Sequence, residues 1–309
     1  METSAPAGAD LVRRFIFEKR PVRGHWVRLD SAWRELLAHT DYPQAVRELL
    51  GQAVAASVLL AATLKFRGTL TFQLQGTGAV GLLVAQCAHD FRLRAVARYD
   101  AAAVQAATEA AAPAALFRRL VGADGRITVT IEAEEKSMRY QGVVPLTGAS
   151  LAESLEAYFA SSEQLPTRVL LAADDEYGAG LLVQKLPNTS TADEEEVAAV
   201  WEGAQRGIER LSAAELLRSP AEQLLAHGFT DHDLRLFRGA PVQFQCRCSE
   251  GRVAGLLRAL GAEEVRDVLK EQGAVLVTCE FCQRPYRFDA VDVEALFAEA
   301  PSEGSDTIH

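Results

Sequence analysis

The chain of 309 residues is acidic, with 32 lysine and arginine residues against 42 aspartate and glutamate residues and a formal net charge of -10 at pH 7. This balance argues against a general binder of nucleic acid or of anionic membranes, because phosphate binding needs clustered cationic side chains. With 49% hydrophobic residues, a chain of this length is expected to form two or more domains.

The amino-terminal region carries no export or membrane signal. Residues 1–10 lack a basic segment followed by an apolar one, so we expect a cytoplasmic protein, in which cysteine pairs indicate metal binding or redox chemistry. The longest apolar run, 53–64, is too short to cross a bilayer. With Pro43 early in its first turn, this region predicts a helix over about 43–65, apolar nearly all round and therefore buried.

Residues 1–187 are predicted to form an α+β core domain with antiparallel sheets around this buried helix. Apolar and polar residues alternate at 69–75, which is typical of a strand with one wet face. Ser150 and Glu153 form a capping box that begins a second helix. Other strands are predicted within 11–30 and at 91–98, 127–131, 140–146, 168–172 and 181–185.

Residues 188–240 are predicted to be a helical linker. Capping boxes begin at Thr191, Ser212 and Ser219. Apolar residues recur at helical spacing, namely Val197, Val200, Trp201, Ala204, Ile208 and Leu211. Short helices are marginal in water, so the linker is interpreted as metastable and folded only when docked, although an ordinary helical subdomain fits the pattern equally well.

Residues 241–309 contain four of the five cysteines, arranged as Cys246-x-Cys248 and Cys279-x-x-Cys282. Two short pairs separated by about thirty residues are typical of a zinc ion held by four thiolates. Two helices are predicted between the two cysteine pairs, and two paired strands are predicted around Cys279 and Cys282. A unit this small buries too little apolar surface to be stable alone, so we expect its fold to depend on one bound Zn²⁺.

The same four cysteines are suited to redox chemistry. Zinc keeps its ligands as thiolates, the form that oxidants attack. Each half-site also contains a resolving partner within three positions, so oxidation would close a local disulfide and eject the metal. The fifth cysteine, Cys87, lies in an apolar stretch and is predicted to be an inert core residue.

The cysteine arrangement resembles that of the thirty-three-kilodalton redox-regulated heat-shock chaperones, which are bacterial holdases. Short stretches in the same order extend the resemblance over nearly the whole chain: 64–66, 73–76, 140–144, 162–168 and 186–187. One departure is Glu250-Gly251-Arg252, where a more charged and better helix-forming run is expected. This departure concerns how readily the redox switch of this family responds, and it does not involve the four cysteine ligands.

The resemblance implies a function without enzymatic activity. It implies an ATP-independent chaperone that is inactive while reduced and zinc-bound, and that binds unfolding proteins once oxidised, with the linker melting in between. It also implies disulfides Cys246 to Cys248 and Cys279 to Cys282, release of zinc, and a homodimer in the active form. Neither a nucleic-acid nor a membrane partner is expected.

Two alternatives belong to other classes. Gly76, Gly78 and Gly81 match the G-x-G-x-x-G pattern of a nucleotide-binding oxidoreductase, with Asp100 downstream to hold a ribose, but the preceding strand alternates where a Rossmann strand is continuously apolar. Because lone glycine patterns often match by chance, a glycine-rich hairpin turn is the favoured interpretation. The other alternative is a zinc-ribbon adaptor with a purely structural metal, whose arginines (Arg247, Arg252, Arg284 and Arg287) would face nucleic acid or balance the thiolate charge.

Overall fold

The structure is a computed structural model that describes residues 10–110, 112–133, 139–187 and 193–298. The chain divides into two compact units that meet in sequence between Gln245 and Cys246. The division into 1–187, 188–240 and 241–309 concerns which segments fold independently, and it stays a prediction.

The first unit is built from two six-stranded sheets and eight helices within its described residues. Its elements are β1 (Leu11–Phe17), β2 (Val22–Leu29), α1 (Ser31–Leu37), α2 (Gln44–Thr63), β3 (Gly68–Gln75), β4 (Val80–Ala88), β5 (Arg92–Tyr99), α3 (Ala101–Ala110), α4 (Pro113–Val121), β6 (Arg126–Ala133), β7 (Arg139–Pro145), α5 (Leu151–Tyr158) with a π-helical turn at Phe159–Glu163, β8 (Thr167–Ala173), β9 (Gly178–Lys185), α6 (Glu194–Arg210), α7 (Ala213–Arg218), α8 (Ala221–Gly228), β10 (Leu234–Leu236), β11 (Ala240–Pro241) and β12 (Gln243–Phe244).

The strand order of the first sheet is β10-β1-β2-β9-β8, with β11 also paired to β1, and that of the second sheet is β12-β5-β4-β3-β6-β7. Neighbouring strands are antiparallel, except that β12 runs parallel to β5. The predicted α+β class with antiparallel sheets is therefore confirmed. Strand β4 was not predicted, because Leu82 and Val84 lie on its wetter face and remove the alternation from the sequence.

Helix α2 lies at the centre of the main core, as the sequence predicted. Its twenty residues are long and apolar enough to cross a membrane by composition, but 72% of its apolar window is buried within the protein. It shares one core with Val27 and Leu29 of the first sheet and with Leu70 and Phe72 of the second. Burial on all sides explains why the helix shows no polar face.

The helices predicted as the linker, α6 to α8, cover the opposite face of the first sheet. Ala204 and Ile208 of α6 are buried in a second core with Phe15 and Phe17 of β1. At Gly207 an added Cβ would lie 2.6 Å from the Gly228 carbonyl oxygen, so only glycine permits this close approach of α6 to α8. The docking partner that the linker helices were expected to need is therefore the first sheet.

The three capping boxes predicted in the linker have different outcomes. The capping box of Ser212 and Glu215 is formed at α7. The box predicted at Ser219 is wrong, because Pro220 occupies the N-cap of α8 and no side chain caps it. Thr191 lies outside the described residues, and the side chain that caps α6 belongs to Asp193.

The glycine-rich stretch is a hairpin, so the nucleotide-binding alternative is wrong. Strand β3 leads into antiparallel β4, and the Gly76 amide donates to the Gly81 carbonyl at 3.0 Å. A Rossmann fingerprint requires a helix there. Added Cβ atoms at Gly76 and Gly78 would meet the backbone at the end of α4 within 2.7 Å, so these glycines serve packing. Asp100 accepts from the Ala103 amide at the start of α3.

The second unit is small. It contains α9 (Glu250–Leu260), α10 (Ala262–Gln272), β13 (Val275–Thr278), β14 (Pro285–Phe288) and α11 (Ala290–Ala298), with β13 and β14 forming an antiparallel hairpin. The helices and strands predicted between and around the cysteine pairs are confirmed. Among residues 246–298, which the structure describes, eight buried side chains form its core: Val253, Leu257, Val265, Val275, Tyr286, Phe288, Val293 and Leu296.

Candidate metal centre

The second unit brings the four paired cysteines together. Cys246 and Cys248 precede α9, whereas Cys279 and Cys282 lie in the turn between β13 and β14. The four Sγ atoms lie within 4.8 Å of one another, with 3.7 Å between Cys246 and Cys279 and 3.5 Å between Cys248 and Cys282. Tetrahedral zinc with Zn–S bonds of about 2.3 Å separates its sulfurs by about 3.8 Å. The four thiols therefore have the spacing of a metal site, and none is in a disulfide.

The turn that carries the second pair is fixed by its own backbone. The Cys279 amide donates to the Arg284 carbonyl at 3.0 Å, and the Gln283 amide donates to the Cys279 carbonyl at 2.9 Å. Gln283 adopts a left-handed conformation with φ of 54°, which reverses the chain. The Arg284 amide then points at the Cys282 sulfur. Amides directed at sulfur stabilise thiolates.

The first pair is held at the start of α9. The Cys248 amide donates to the Cys246 sulfur. Ser249 caps α9 by accepting from the Arg252 amide, and the Arg252 guanidinium donates to the Arg247 carbonyl at 2.6 Å. The helix start thus fixes the backbone of the residue between the two cysteines.

The thiols differ in their tendency to ionise. Burial raises the pKa of Cys246 and of Cys282, because a desolvated thiolate is costly without a cation. Burial also acts to raise the pKa of Cys248, but hydrogen bonds from the Tyr286 hydroxyl and the neighbouring thiols outweigh it and lower the pKa to about 7. A divalent cation at the centre of the four sulfurs would favour the thiolate at each of them.

Tyr286 is a site residue that the sequence analysis missed. Its hydrogen bond to Cys248, followed by burial, raises the pKa of its own hydroxyl to about 12. Its position in the sequence indicated only that it belongs to the strand pair predicted at Cys279 and Cys282. The sequence feature that could have identified Tyr286 as a site residue is its position four residues after Cys282. It lies on a strand whose alternate residues are buried.

Cys87 takes no part in the cluster. It lies on β4 with no exposed surface, and burial strongly raises the pKa of its thiol. The prediction of an inert core cysteine agrees with both observations.

Three comparisons with known proteins agree with one another. The family model described as "Hsp33 protein" matches residues 10–289. A protein named "33 kDa chaperonin" from Nitrosococcus oceani is 43% identical over 290 residues, which cover 94% of this chain and 95% of the relative. A protein of the same name from Neisseria meningitidis serogroup B is 41% identical over 97% of this chain and 95% of the relative.

The fold comparison gives the same answer. The crystal structure of the 33 kDa chaperonin from Thermotoga maritima has a TM-score of 0.73 and 22% sequence identity, covering 94% of this chain and 98% of that one. The fold is thus shared at low sequence identity. With a family model and relatives above 40% identity covering almost the entire chain, the protein belongs to the Hsp33 family.

Proposed function

We propose that this protein is an ATP-independent holdase, which binds unfolding proteins in the bacterial cytoplasm and prevents their aggregation under oxidative stress. Its relatives are named chaperonins, which supports a chaperone with no enzymatic activity. The observation that carries the proposal is the cluster of four free thiols in a unit whose described residues form a core of only eight buried side chains. Such a unit is suited to a switch, because its stability depends on its cysteines.

The metal in this proposal is one Zn²⁺ per chain, held by Cys246, Cys248, Cys279 and Cys282. The donor set supports this choice, since four thiolates at tetrahedral spacing favour zinc over oxygen-seeking cations. When bound, zinc would neutralise part of the thiolate charge and hold the helical and hairpin parts of the unit together. Amides directed at sulfur from Cys248 and Arg284 would stabilise the same thiolates.

Oxidation by a peroxide is the proposed trigger. A thiolate sulfur attacks the peroxide O–O bond and becomes a sulfenic acid, while the leaving oxygen takes up a proton as water. The second thiolate of the pair then attacks the sulfenic sulfur, forming the S–S bond and releasing a second water. Two thiols are oxidised and one peroxide is reduced in each pair. We assign the pairs as Cys246 with Cys248 and Cys279 with Cys282, following the family resemblance.

The linker carries the signal in this proposal. Helices α6 to α8 bury Ala204, Ile208 and Leu224 only by docking on the first sheet. Undocking would therefore expose apolar side chains to which unfolded clients can bind. Loss of zinc loosens the second unit, and full activity also needs the linker undocked, so oxidant and mild heat together should exceed either alone. A homodimer is the proposed active form.

One experiment tests the whole proposal. Zinc content and suppression of luciferase aggregation would be measured on the same sample before and after peroxide treatment. We expect one zinc per reduced chain with little suppression, then zinc release with strong suppression. Oxidant-independent suppression, or zinc retained at full activity, would contradict it and leave the zinc-ribbon adaptor as the better account.

A further inference from the structure

The outer edge of the second sheet is formed by β7, and its free backbone groups can be identified from the pairing register. The Leu146 amide donates to the Gly125 carbonyl at 2.8 Å, and each β7 residue pairs with a β6 residue. Because antiparallel strands bond through alternate residues, Tyr140, Gly142 and Val144 direct their backbone groups to β6. Gln141 and Val143 therefore direct their amides and carbonyls outward, where no described residue pairs with them.

The other sheet edges of the first unit are closed to further pairing, as far as its described residues show. Strands β10, β11 and β12 have only two or three residues each. Strand β8 is longer, but the Glu156 carboxylate accepts from the outward Val169 amide at 2.8 Å and also pairs with Arg168. Short strands and charged side chains are the usual protection against edge-to-edge association. Strand β7 has seven residues, and its one charged residue, Arg139, and its proline, Pro145, lie at the two ends, so that residues 140–144 carry neither protection.

Apolar exposure coincides with this open edge. The first unit exposes two large hydrophobic side chains among its described residues, and both lie on β7: Tyr140 at 44% and Val143 at 55%. They point to opposite faces of the sheet because they are three residues apart on one strand. The Tyr140 hydroxyl donates to Glu163 at 3.3 Å, which fixes its ring beside the edge. A strand added here would gain backbone hydrogen bonds and apolar contact on both faces.

We propose that β7 is a client-binding edge, which captures an extended segment of an unfolded protein by adding it to the second sheet. The inference rests on the proposed holdase function and names where the client binds. Backbone hydrogen bonds form with any client sequence, so this mode of binding suits a chaperone that must accept many unfolded chains. The β7 edge is open in the structure, in which the cysteines are free thiols. It therefore offers the client a weak contact in the reduced protein, and the apolar side chains of the undocked linker would strengthen that contact.

A second copy of this chain is the competing occupant. A stable interface takes about 20–30 residues a side, whereas β7 offers seven. That contact is too small to hold a dimer by itself, but it matches one weak contact among several with a flexible client. The edge is therefore assigned to the client.

The test uses two proline variants in the oxidised full-length protein. Val143→Pro and Gln141→Pro each remove one outward amide, and proline is tolerated at such edge positions because no backbone hydrogen bond to β6 is lost. Gln141→Pro also removes the side-chain hydrogen bond from Gln141 to Thr130 on β6, which Val143→Pro leaves in place. We expect each variant to need about fivefold more protein for half-suppression of aggregation of urea-unfolded luciferase, corresponding to one lost hydrogen bond. The control is Gly81→Ala on β4, where an added Cβ meets no atom within 4 Å. It should behave as the parent protein.

Hydrogen exchange on the unsubstituted protein guards against variants that fold poorly. The Gln141 and Val143 amides should become protected when luciferase is bound, whereas the Gly142 amide is already protected. The inference is overturned if both proline variants equal the parent, or if the two amides gain protection on oxidation without a client, since a second copy would then occupy the edge. If the parent itself fails to suppress aggregation, the holdase proposal falls instead.

Discussion

The two units of this chain are stabilised in different ways. In the first, α2 is enclosed between two six-stranded sheets and α6 to α8 cover a second face. In the second, eight buried side chains accompany four thiols in a hairpin and three helices. Apolar burial is ample in the first unit and scarce in the second. Removal of a metal should therefore unfold the second unit and leave the first folded.

The largest effect is expected from Cys279→Ser. A three-thiolate site loses most of its zinc affinity, and structural zinc contributes about 10 to 16 kcal/mol in comparable small domains. The second unit should unfold, with loss of amide protection at Val253, Val265 and Val275. Metal analysis and hydrogen exchange check this outcome, and Cys246→Ser should act in the same way. A full complement of zinc in either variant would show that the four cysteines are not the ligands.

The converse change is Phe72→Ala in the main core. The Phe72 side chain projects from β3 and is fully buried in the core around α2, so its removal should lower the free energy of unfolding of the first unit by about 3 to 5 kcal/mol. Zinc content should not change. Urea unfolding followed by tryptophan fluorescence reports this unit alone, because all three tryptophans (Trp26, Trp33 and Trp201) precede Cys246. Zinc loss in this variant would mean that the two units unfold together.

An intermediate effect is expected from Ala204→Pro. The residue is buried in the middle of α6, where proline removes a helical hydrogen bond at a cost of about 3 kcal/mol or more. The linker helices should undock, so that the variant suppresses aggregation while still reduced and zinc-loaded. Glu194→Pro is the matched control, since α6 begins at this residue and proline is accepted in a first turn. If Ala204→Pro stays inactive until oxidised, undocking of the linker is not what activates the protein.

The smallest effect is expected from Cys87→Ser. A hydroxyl replaces a buried thiol on β4, which should lower the stability of the first unit by about 1 to 3 kcal/mol. Zinc content and the response to peroxide should both equal those of the parent protein. A weaker peroxide response would give Cys87 a redox role that its burial argues against.

The sequence allowed the four cysteines to be identified as one site, because their short spacings are a local pattern. It also gave α2, since an uninterrupted apolar run with a proline start has few other interpretations. Strand β4 was missed because its half-exposed positions are apolar. The apolar stripe of α6 predicted that a partner exists, but helical periodicity alone does not show which sheet provides it. The contact of Tyr286 with Cys248 depends on the hairpin register, which becomes evident only in the fold.

Hydrogen exchange across the whole chain, before and after peroxide, is the most direct measurement of the proposed difference between the units. We predict that oxidation and zinc release remove protection from α9, α10 and the β13–β14 hairpin, and then from α6 to α8. Protection of α2 and of the central strands β3 and β4 should stay the same. Equal protection of the second unit and of α6 to α8 in reduced and oxidised protein would contradict the account, as would loss of protection throughout the first unit.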